Sequence, residues 1–466
     1  MKYASQKTTI TDISAPGKQR SYNEIIELLD ANWKPSKDLS CITKLDQALG
    51  KPSKKIDTIL VSGTNGKSLT MHFATKLLQQ EGVSVGSFYA PHILTYNERF
   101  ALNGTTISNK AFTDIANEVL TAATTEGLTL TSFELLTAMA LAYFAQNKVD
   151  VILLEGCEEQ IKTLNICQPK ITALTRFTPE NTEKSKKEII DALEKNSSDS
   201  WIVSADQSKA NLQLMQKQAQ QKGAQWAMPI RKVAPLNYPF EQLHGRCAAL
   251  AERVAHIYVN QIATKDAVIV SGSLLTKPKS RRGRPTLEAR RQAELNPQKT
   301  VEQFWNENHN TLPGKFQILD KEKPTVILDT ADNVDAIKNL LLGIRLLHYQ
   351  RPLQGLTLIL SGNNQNIQIE ELLKELRYFF KKTSGQIIVC PAETDPDLSN
   401  AETWNIEKLT NDLKSMKIKA STSKSFKEAF DTACKTVNDK HGLVVITGST
   451  SIVRKYWHDH KNIKKL

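Results

Sequence analysis

The sequence is poor in cysteine, and the six it has fall into no metal-binding or disulfide pattern. Cys41, Cys157, Cys167, Cys247, Cys390 and Cys434 are scattered, with no C-x-x-C pair and no Cys/His zinc spacing. That sets aside a disulfide scaffold and a structural zinc site, and the expectation is free thiols in a reducing cytosol. Long apolar runs are also missing. Nothing in the chain is apolar for long enough to span a bilayer, and the first twenty residues lack the apolar core of a secretory signal, so a soluble cytoplasmic protein with no membrane partner is expected. Acidic residues are outnumbered, 49 against 61 Lys and Arg, for a formal net charge of +12. Such an excess suits nucleic acid, an anionic surface or anionic substrates. Most of it is dispersed lysine, which also fits an ordinary solvated surface.

What is present begins with Asp57–Thr70, DTILVSGTNGKSLT. The β-branched run Thr58-Ile59-Leu60-Val61 breaks at Ser62-Gly63, a short loop runs through Thr64, Asn65 and Gly66 to Lys67-Ser68, and a helical pattern follows from Leu69 to Gln79. Strand, glycine turn, Lys-Ser and helix make a phosphate cradle. Glycines let backbone amides turn toward an anion, and the helix start adds partial positive charge. Lys67 supplies a cation for the outer phosphates and Ser68 a hydroxyl for Mg²⁺. Val61 stands where the first glycine of the strict G-x-x-x-x-G-K-[ST] pattern belongs. An ordinary strand-to-helix turn is the plainer alternative.

With 466 residues, 40% of them hydrophobic and 24% charged, the chain suits two or three globular domains. Residues 1–20 are polar and expected to be loosely ordered. Residues 21–307 alternate short apolar strands (Val83–Phe88, Val149–Leu154, Ile171–Leu174, Trp201–Ser204) with helices (Ser108–Ala123, Ser132–Gln146, Asn181–Lys195), the rhythm of an α/β domain with a mostly parallel sheet. Tyr89–Phe100 reads as a polar and aromatic loop. Lys277–Arg291 holds seven basic residues against Glu288, broken by Pro278, Gly283 and Pro285. It reads as a solvated loop, with a nucleic-acid hook as the remote alternative. Asn308–Gly314 reads as a linker. Residues 315–466 carry a second rhythm, with strands at Thr325–Leu328, Leu356–Leu360, Gln386–Cys390 and Leu443–Thr447 and no G-x-G-x-x-G. Ligands in such sheets sit beyond the carboxyl ends of strands, here Leu328–Asn333 and Ile446–Ser449.

Val61–Lys67 closely resembles the nucleotide loop of folylpolyglutamate and dihydrofolate synthases, of the Mur ligase superfamily. Ala90-Pro91-His92 with Glu98-Arg99-Phe100, Phe133–Ala138 with Val149–Glu155, Leu312–Phe316, Leu328–Asn333 and Thr447-Gly448-Ser449 resemble, in order, further motifs of that family. The resemblance implies a P-loop-type Mur ligase central domain followed by a smaller Rossmann-like domain that closes over it, in a monomer. It implies ATP and Mg²⁺ as cofactors, and a folate or pteroate and L-glutamate as substrates. ATP would phosphorylate a carboxylate, and the glutamate amine would displace the phosphate. In that reading Gly63, Thr64, Asn65, Gly66, Lys67 and Ser68 hold the nucleotide, with Asp329, Asp332 and Asn333 facing it or the glutamate. Ser68 and Glu155 ligate Mg²⁺, His92 and Arg99 face the acyl acceptor, and Lys67, Glu155 and Lys195 serve catalysis.

The departures from the family pattern are specific. Ser68-Leu69 replaces its Gly-Ser, and Gly156–Asn165 replaces a glycine-rich stretch. Thr175-Arg176-Phe177-Thr178-Pro179-Glu180 has no histidine where the family has a metal ligand. Counting back from Glu194-Lys195 puts Glu180 at that spot as a third Mg²⁺ ligand, whereas counting forward from Ile171 gives Thr178. Lys195 stands where the family carries a carbamylated lysine, though it also fits a solvated Lys/Glu-rich helix. In Leu243–Ala251 the family's His, Gln and Asn become Cys247, Ala248 and Ala251, and Asp332 replaces another histidine. Two readings follow, an active ligase with a rearranged metal site and a relative that binds nucleotide or folate without turnover.

Overall fold

The structure, a computed structural model, describes residues 19–33, 38–157, 160–179, 182–205, 207–229, 242–263, 312–362, 369–391 and 404–461. Glu180, the basic segment 277–291, residues 308–311 of the expected linker and most of the expected loose N-terminus lie outside these. The chain divides into two compact units. The first comprises Met1–His92, Tyr96–Lys232 and Arg246–Asn308, the second Ile93–Thr95, Val233–Gly245 and His309–Leu466. The loop residue Ile93 falls in the second unit because it is buried in a core cluster with Val326, Val444 and Tyr456.

In the first unit the described strands and α-helices run α1 (Tyr22–Ala31), α2 (Ser40–Ala48), β1 (Asp57–Ser62), α3 (Lys67–Gln80), β2 (Val85–Phe88), β3 (Phe100–Leu102), β4 (Thr105–Thr106), α4 (Asn109–Thr125), α5 (Ser132–Gln146), β5 (Val151–Gly156), α6 (Ile161–Leu164), β6 (Ile171–Leu174), α7 (Glu183–Ala192), β7 (Trp201–Ser204), α8 (Lys209–Lys222), β8 (Gln225–Ala227) and, from Arg246 on, α9 (Gln242–Ile257). The strands make one sheet in the order β4-β3-β2-β5-β1-β6-β7-β8. It is parallel except for β3 and β4. Strands β1, β5 and β6 are buried almost throughout, which is why they read as apolar runs rather than alternations. Helix α5 is apolar nearly all round and buries twelve residues, under a capping box from Thr131 and Glu134. Gly86 lets β2 pass this helix, because a Cβ there would lie 2.6 Å from the Phe144 ring.

The β3–β4 hairpin begins at the last residue of the expected loop, Phe100, and runs on into a stretch to which the sequence gave no element. Its turn is Asn103-Gly104, with φ of 50° and 75°, the left-handed pair that an Asn-Gly two-residue turn favours. Asn103 also ties the turn to β2 by accepting the Val85 amide at its Oδ1, 2.8 Å away.

The second unit contains β9 (Gln317–Leu319), β10 (Thr325–Leu328), α10 (Val334–Gln350), β11 (Leu356–Leu360), α11 (Ile369–Phe380), β12 (Gln386–Val389), α12 (Ile406–Ser415), β13 (Lys419–Thr422), α13 (Phe426–Lys435), β14 (Leu443–Thr447) and α14 (Thr450–Lys461). Its sheet order is β13-β12-β11-β14-β10-β9, with β9 alone antiparallel among the described strands. The sequence pattern missed β9 and β13. Both are edge strands, and β13 exposes three of its four residues, so neither carries the apolar signal of a buried strand.

Candidate active site

Strand β1 has β5 on one side and β6 on the other, and the loops leaving these three strands meet beyond their carboxyl ends. Gly63 leaves β1 with φ +139°, and a Cβ there would collide with the Thr175 side chain just past β6. Only glycine fits, because a backbone approaches closely where L side chains are strained. The Thr64 amide donates to the Arg176 carbonyl at 2.9 Å and the Asn65 amide to the same oxygen at 3.4 Å. The Thr64 hydroxyl accepts from the Thr178 amide at 2.9 Å and donates to the Thr178 carbonyl at 3.2 Å. The phosphate loop is therefore laced to residues 175–178. Two of the amides expected to face an anion are turned onto a carbonyl instead, leaving those at the start of α3 for that role. Gly66 precedes that helix in a left-handed conformation, φ +91°, with no side-chain cap.

The cation of the loop is Lys67, whose Nζ donates to the Gly63 carbonyl at 2.8 Å and the Thr64 carbonyl at 3.2 Å. The ammonium is thus drawn across the loop. Ser68, one residue on, donates its hydroxyl to Glu155 Oε1 at 2.8 Å. The β1–β5 register pairs Val61 with Glu155 and Ser62 with Gly156, which brings that carboxylate level with the loop. Glu155 is buried at 2% exposure, and its Oε2 accepts the Ala90 amide at 3.2 Å. A hydroxyl and a carboxylate in contact are the hard oxygen donors that Mg²⁺ takes, so this pair fits the ion. Glu180, the expected third ligand, lies outside the described residues. Among the described residues no group of three His, Cys, Asp or Glu side chains could hold a metal. Burial pushes the nearby Tyr89 phenol up, aided by the Glu155 charge, so it stays neutral.

Cys247 on α9 reaches this site. Its buried thiol lies 3.4 Å from the Gly66 carbonyl, which also receives the Thr70 amide at 2.9 Å. The sequence marked Cys247 only as a lost histidine, and it gave the 175–178 segment no part in holding the loop. Neither role has a local signature, since both follow from which strands and helices become neighbours.

The expected acceptor-side residues sit on the segment leaving β2. His92 is nearly buried and Arg99 completely so. Arg99 Nε donates to His92 Nδ1 at 2.9 Å. Arg99, expected to face the acceptor, is enclosed by protein, with its Nε committed to His92. Lys195 is half-exposed just beyond α7 and pairs with the adjacent Glu194 at 3.4 Å.

In the second unit Asp329 accepts the Phe316 amide at Oδ2 and the Ala331 amide at Oδ1, both at 2.8 Å. Asn333 caps α10 by accepting the Ala336 amide at 3.0 Å, and its Nδ2 donates to Asp332 at 3.0 Å. Asp329 and Asn333, expected to face nucleotide or glutamate, both take part in holding the backbone. Asp332 is exposed.

No protein-family model matches the sequence. A dihydrofolate synthase/folylpolyglutamate synthase of Bacillus subtilis (strain 168) is 38% identical over 143 residues, 29% of this chain and 33% of that protein. The folylpolyglutamate synthase of Lacticaseibacillus casei is 31% identical over 140 residues, again 29% and 33%. These matches thus span a third of the relatives' own lengths. The fold agreement runs much further. A Mycobacterium tuberculosis folylpolyglutamate synthase complexed with ADP superposes with a TM-score of 0.71 at 18% identity, over 93% of this chain and 97% of that one. The chain thus has the fold of these solved synthases, and about 29% of its length is similar in sequence to folylpolyglutamate and dihydrofolate synthases. Another solved member of the fold, a bifunctional synthase from Yersinia pestis complexed with AMPPNP and a Mn ion, gives 0.69 at 18% identity over 96% and 100%. Both domains of the synthase fold are therefore present, in the α/β architecture expected from the sequence.

Proposed function

We propose that this synthase relative is an ATP-dependent ligase that joins L-glutamate to a folate-type or pteroate-type carboxylate. The observation that carries this is the Ser68–Glu155 contact at 2.8 Å beside Lys67, supported by relatives named for that activity. The acceptor's carboxylate oxygen attacks the γ-phosphorus of ATP, the bond to the β,γ-bridging oxygen breaks, and ADP leaves. The amine of glutamate, free of its proton, then attacks the acyl carbon, phosphate departs, and the amide nitrogen gives up a proton. The first step is largely positioning and neutralisation of charge. Lys67 exchanges its loop carbonyls for phosphate oxygens, and the amides at the start of α3 hold the anion in place. Bound Mg²⁺ would neutralise phosphate charge at Ser68 and Glu155, with Glu180 proposed to join them. His92 is proposed to face the acceptor, Asp332 the glutamate or nucleotide, and Lys195 to support catalysis after carbamylation. The enzyme is proposed to act as a cytoplasmic monomer.

The test is phosphate release from ATP by the purified full chain, with Mg²⁺, L-glutamate and either tetrahydrofolate or dihydropteroate. The expected result is release that requires all of these. Nucleotide binding without release would favour the non-catalytic reading, for which the surface ion pair of Lys195 with Glu194 speaks.

A further inference from the structure

His92 and Arg99 form a unit that neither the phosphate loop nor the metal pair explains. The Arg99 guanidinium is wholly buried, with its carbon 4.9 Å from the Trp33 ring centroid and 5.6 Å from that of Tyr96. Aromatic faces at that range attract a cation stripped of water. The His92 ring lies against the same tyrosine, centroids 4.3 Å apart, and Tyr96 is anchored by its hydroxyl, which donates to Asp30 at 2.8 Å. The ring of His92 is thus fixed by Tyr96 on a face and by Arg99 at Nδ1.

A guanidinium has five N–H groups and no acceptor. Its contact at 2.9 Å with His92 Nδ1 therefore requires a lone pair on that nitrogen. The imidazole is neutral, with its one ring proton on Nε2. Protonating Nδ1 would set two N–H groups and two positive charges against each other in a buried site. We propose that Arg99 is a positioning residue that locks His92 as the Nε2–H tautomer, making it a hydrogen-bond donor rather than an acceptor or a cation. His92 is two residues from Ala90, whose amide holds Glu155, so the donor stands on the segment that abuts the phosphoryl-transfer site. Its expected partner is an oxygen of the acyl acceptor. That assignment of partner rests on the ligase reading, whereas the tautomer lock does not.

The lock is tested by ¹⁵N–¹H long-range spectra of the full chain at pH 7.5, with the His92 signals assigned from their loss in His92→Gln. The wild type should show the Nε2–H pattern, and Arg99→Met should give a mixture of tautomers. An Nδ1–H or doubly protonated His92 in the wild type would overturn the proposal, as would an unchanged spectrum in Arg99→Met. Should Arg99→Met fail to fold, Arg99→Gln keeps a neutral donor at reduced charge, and the lock requires it to retain the wild-type tautomer. The donor role is tested separately. His92→Gln, whose amide nitrogen can imitate Nε2–H, should keep kcat/KM for the acceptor within about tenfold of wild type. His92→Leu should lose about tenfold more, the worth of roughly one hydrogen bond, with KM for ATP unchanged in both. Equal losses in the two variants would overturn the donor role. If no acceptor turns over at all, the ligase reading fails while the spectra still decide the lock.

Discussion

The two sheets finish their central strands in opposite ways. In the first unit the polar groups beyond β1, β5 and β6 are set against one another. Ser68 meets Glu155, Lys67 bridges the loop carbonyls, and Thr64 is laced to Thr178. In the second unit two of the groups beyond β10 are turned onto their own backbone, Asp329 on the Phe316 and Ala331 amides and Asn333 on the start of α10. Both strand ends bear acidic and amide side chains, and beyond β10 the Lys315 ammonium also donates to the Thr330 hydroxyl at 2.8 Å, yet the first sets its hydroxyl directly on a carboxylate at a helix start. A motif at the end of a parallel strand thus marks a place where ligands can bind, while its hydrogen bonds decide whether it is kept for chemistry or taken up by the fold.

Substitutions can break that contrast. The largest effect is expected from Lys67→Ala, which removes the loop's cation. ATP-dependent phosphate release should fall by at least about 10³, a loss on the scale of transition-state charge stabilisation, with the melting temperature changed little. Glu155→Gln comes next. The single oxygen of the new amide can still accept from Ser68, but its NH₂ then faces the Ala90 amide, donor against donor. Activity should drop by roughly 10² and no longer respond to Mg²⁺. Were either variant to retain wild-type phosphate release, the first unit would be no more committed to chemistry than the second.

Much of this was readable in the chain itself. Ile171–Leu174 and Trp201–Ser204 in the first sheet, and Thr325–Leu328, Leu356–Leu360 and Leu443–Thr447 in the second, were legible as strands to the residue. They are buried on both faces and bounded by turn residues, so local sequence and tertiary environment agree. Helix α5 was equally clear. The β3–β4 hairpin was hidden because strands of three and two residues are too short to show an alternation, although Asn103-Gly104 carried the signal. At the site, Lys67, Ser68 and Glu155 could be named from strand–loop–helix order and an acidic residue closing an apolar run. The lacing of Thr64 to Arg176 and Thr178 could not, since it depends on β6 lying beside β1. The burial of Arg99 was not legible either, because nothing in Asn97-Glu98-Arg99-Phe100 shows that Trp33 and Tyr96 will enclose it.

The second unit's side of the contrast is sharpened by stability rather than activity. Asp329→Ala leaves the Phe316 and Ala331 amides without their carboxylate. Phe316 is fully buried and holds φ +48°, a strained conformation for a non-glycine residue. Two charge-assisted hydrogen bonds lost at such a point should cost about 2–4 kcal/mol, seen as a lower denaturation midpoint with an unchanged slope. A loss of activity at full stability would instead give Asp329 to the chemistry.

The smallest effect belongs to Asn333→Ala. Removing the oxygen that caps α10 should destabilise by about 1 kcal/mol, whereas Asn333→Asp and Asn333→Ser, which keep an acceptor there, should recover most of it. If Asn333 is a cap and nothing more, KM for ATP and for glutamate will be the same in all three variants at temperatures well below unfolding. A rise in either KM in Asn333→Asp, where the cap is retained, would give Asn333 a ligand-facing role and remove this residue from the contrast between the two units.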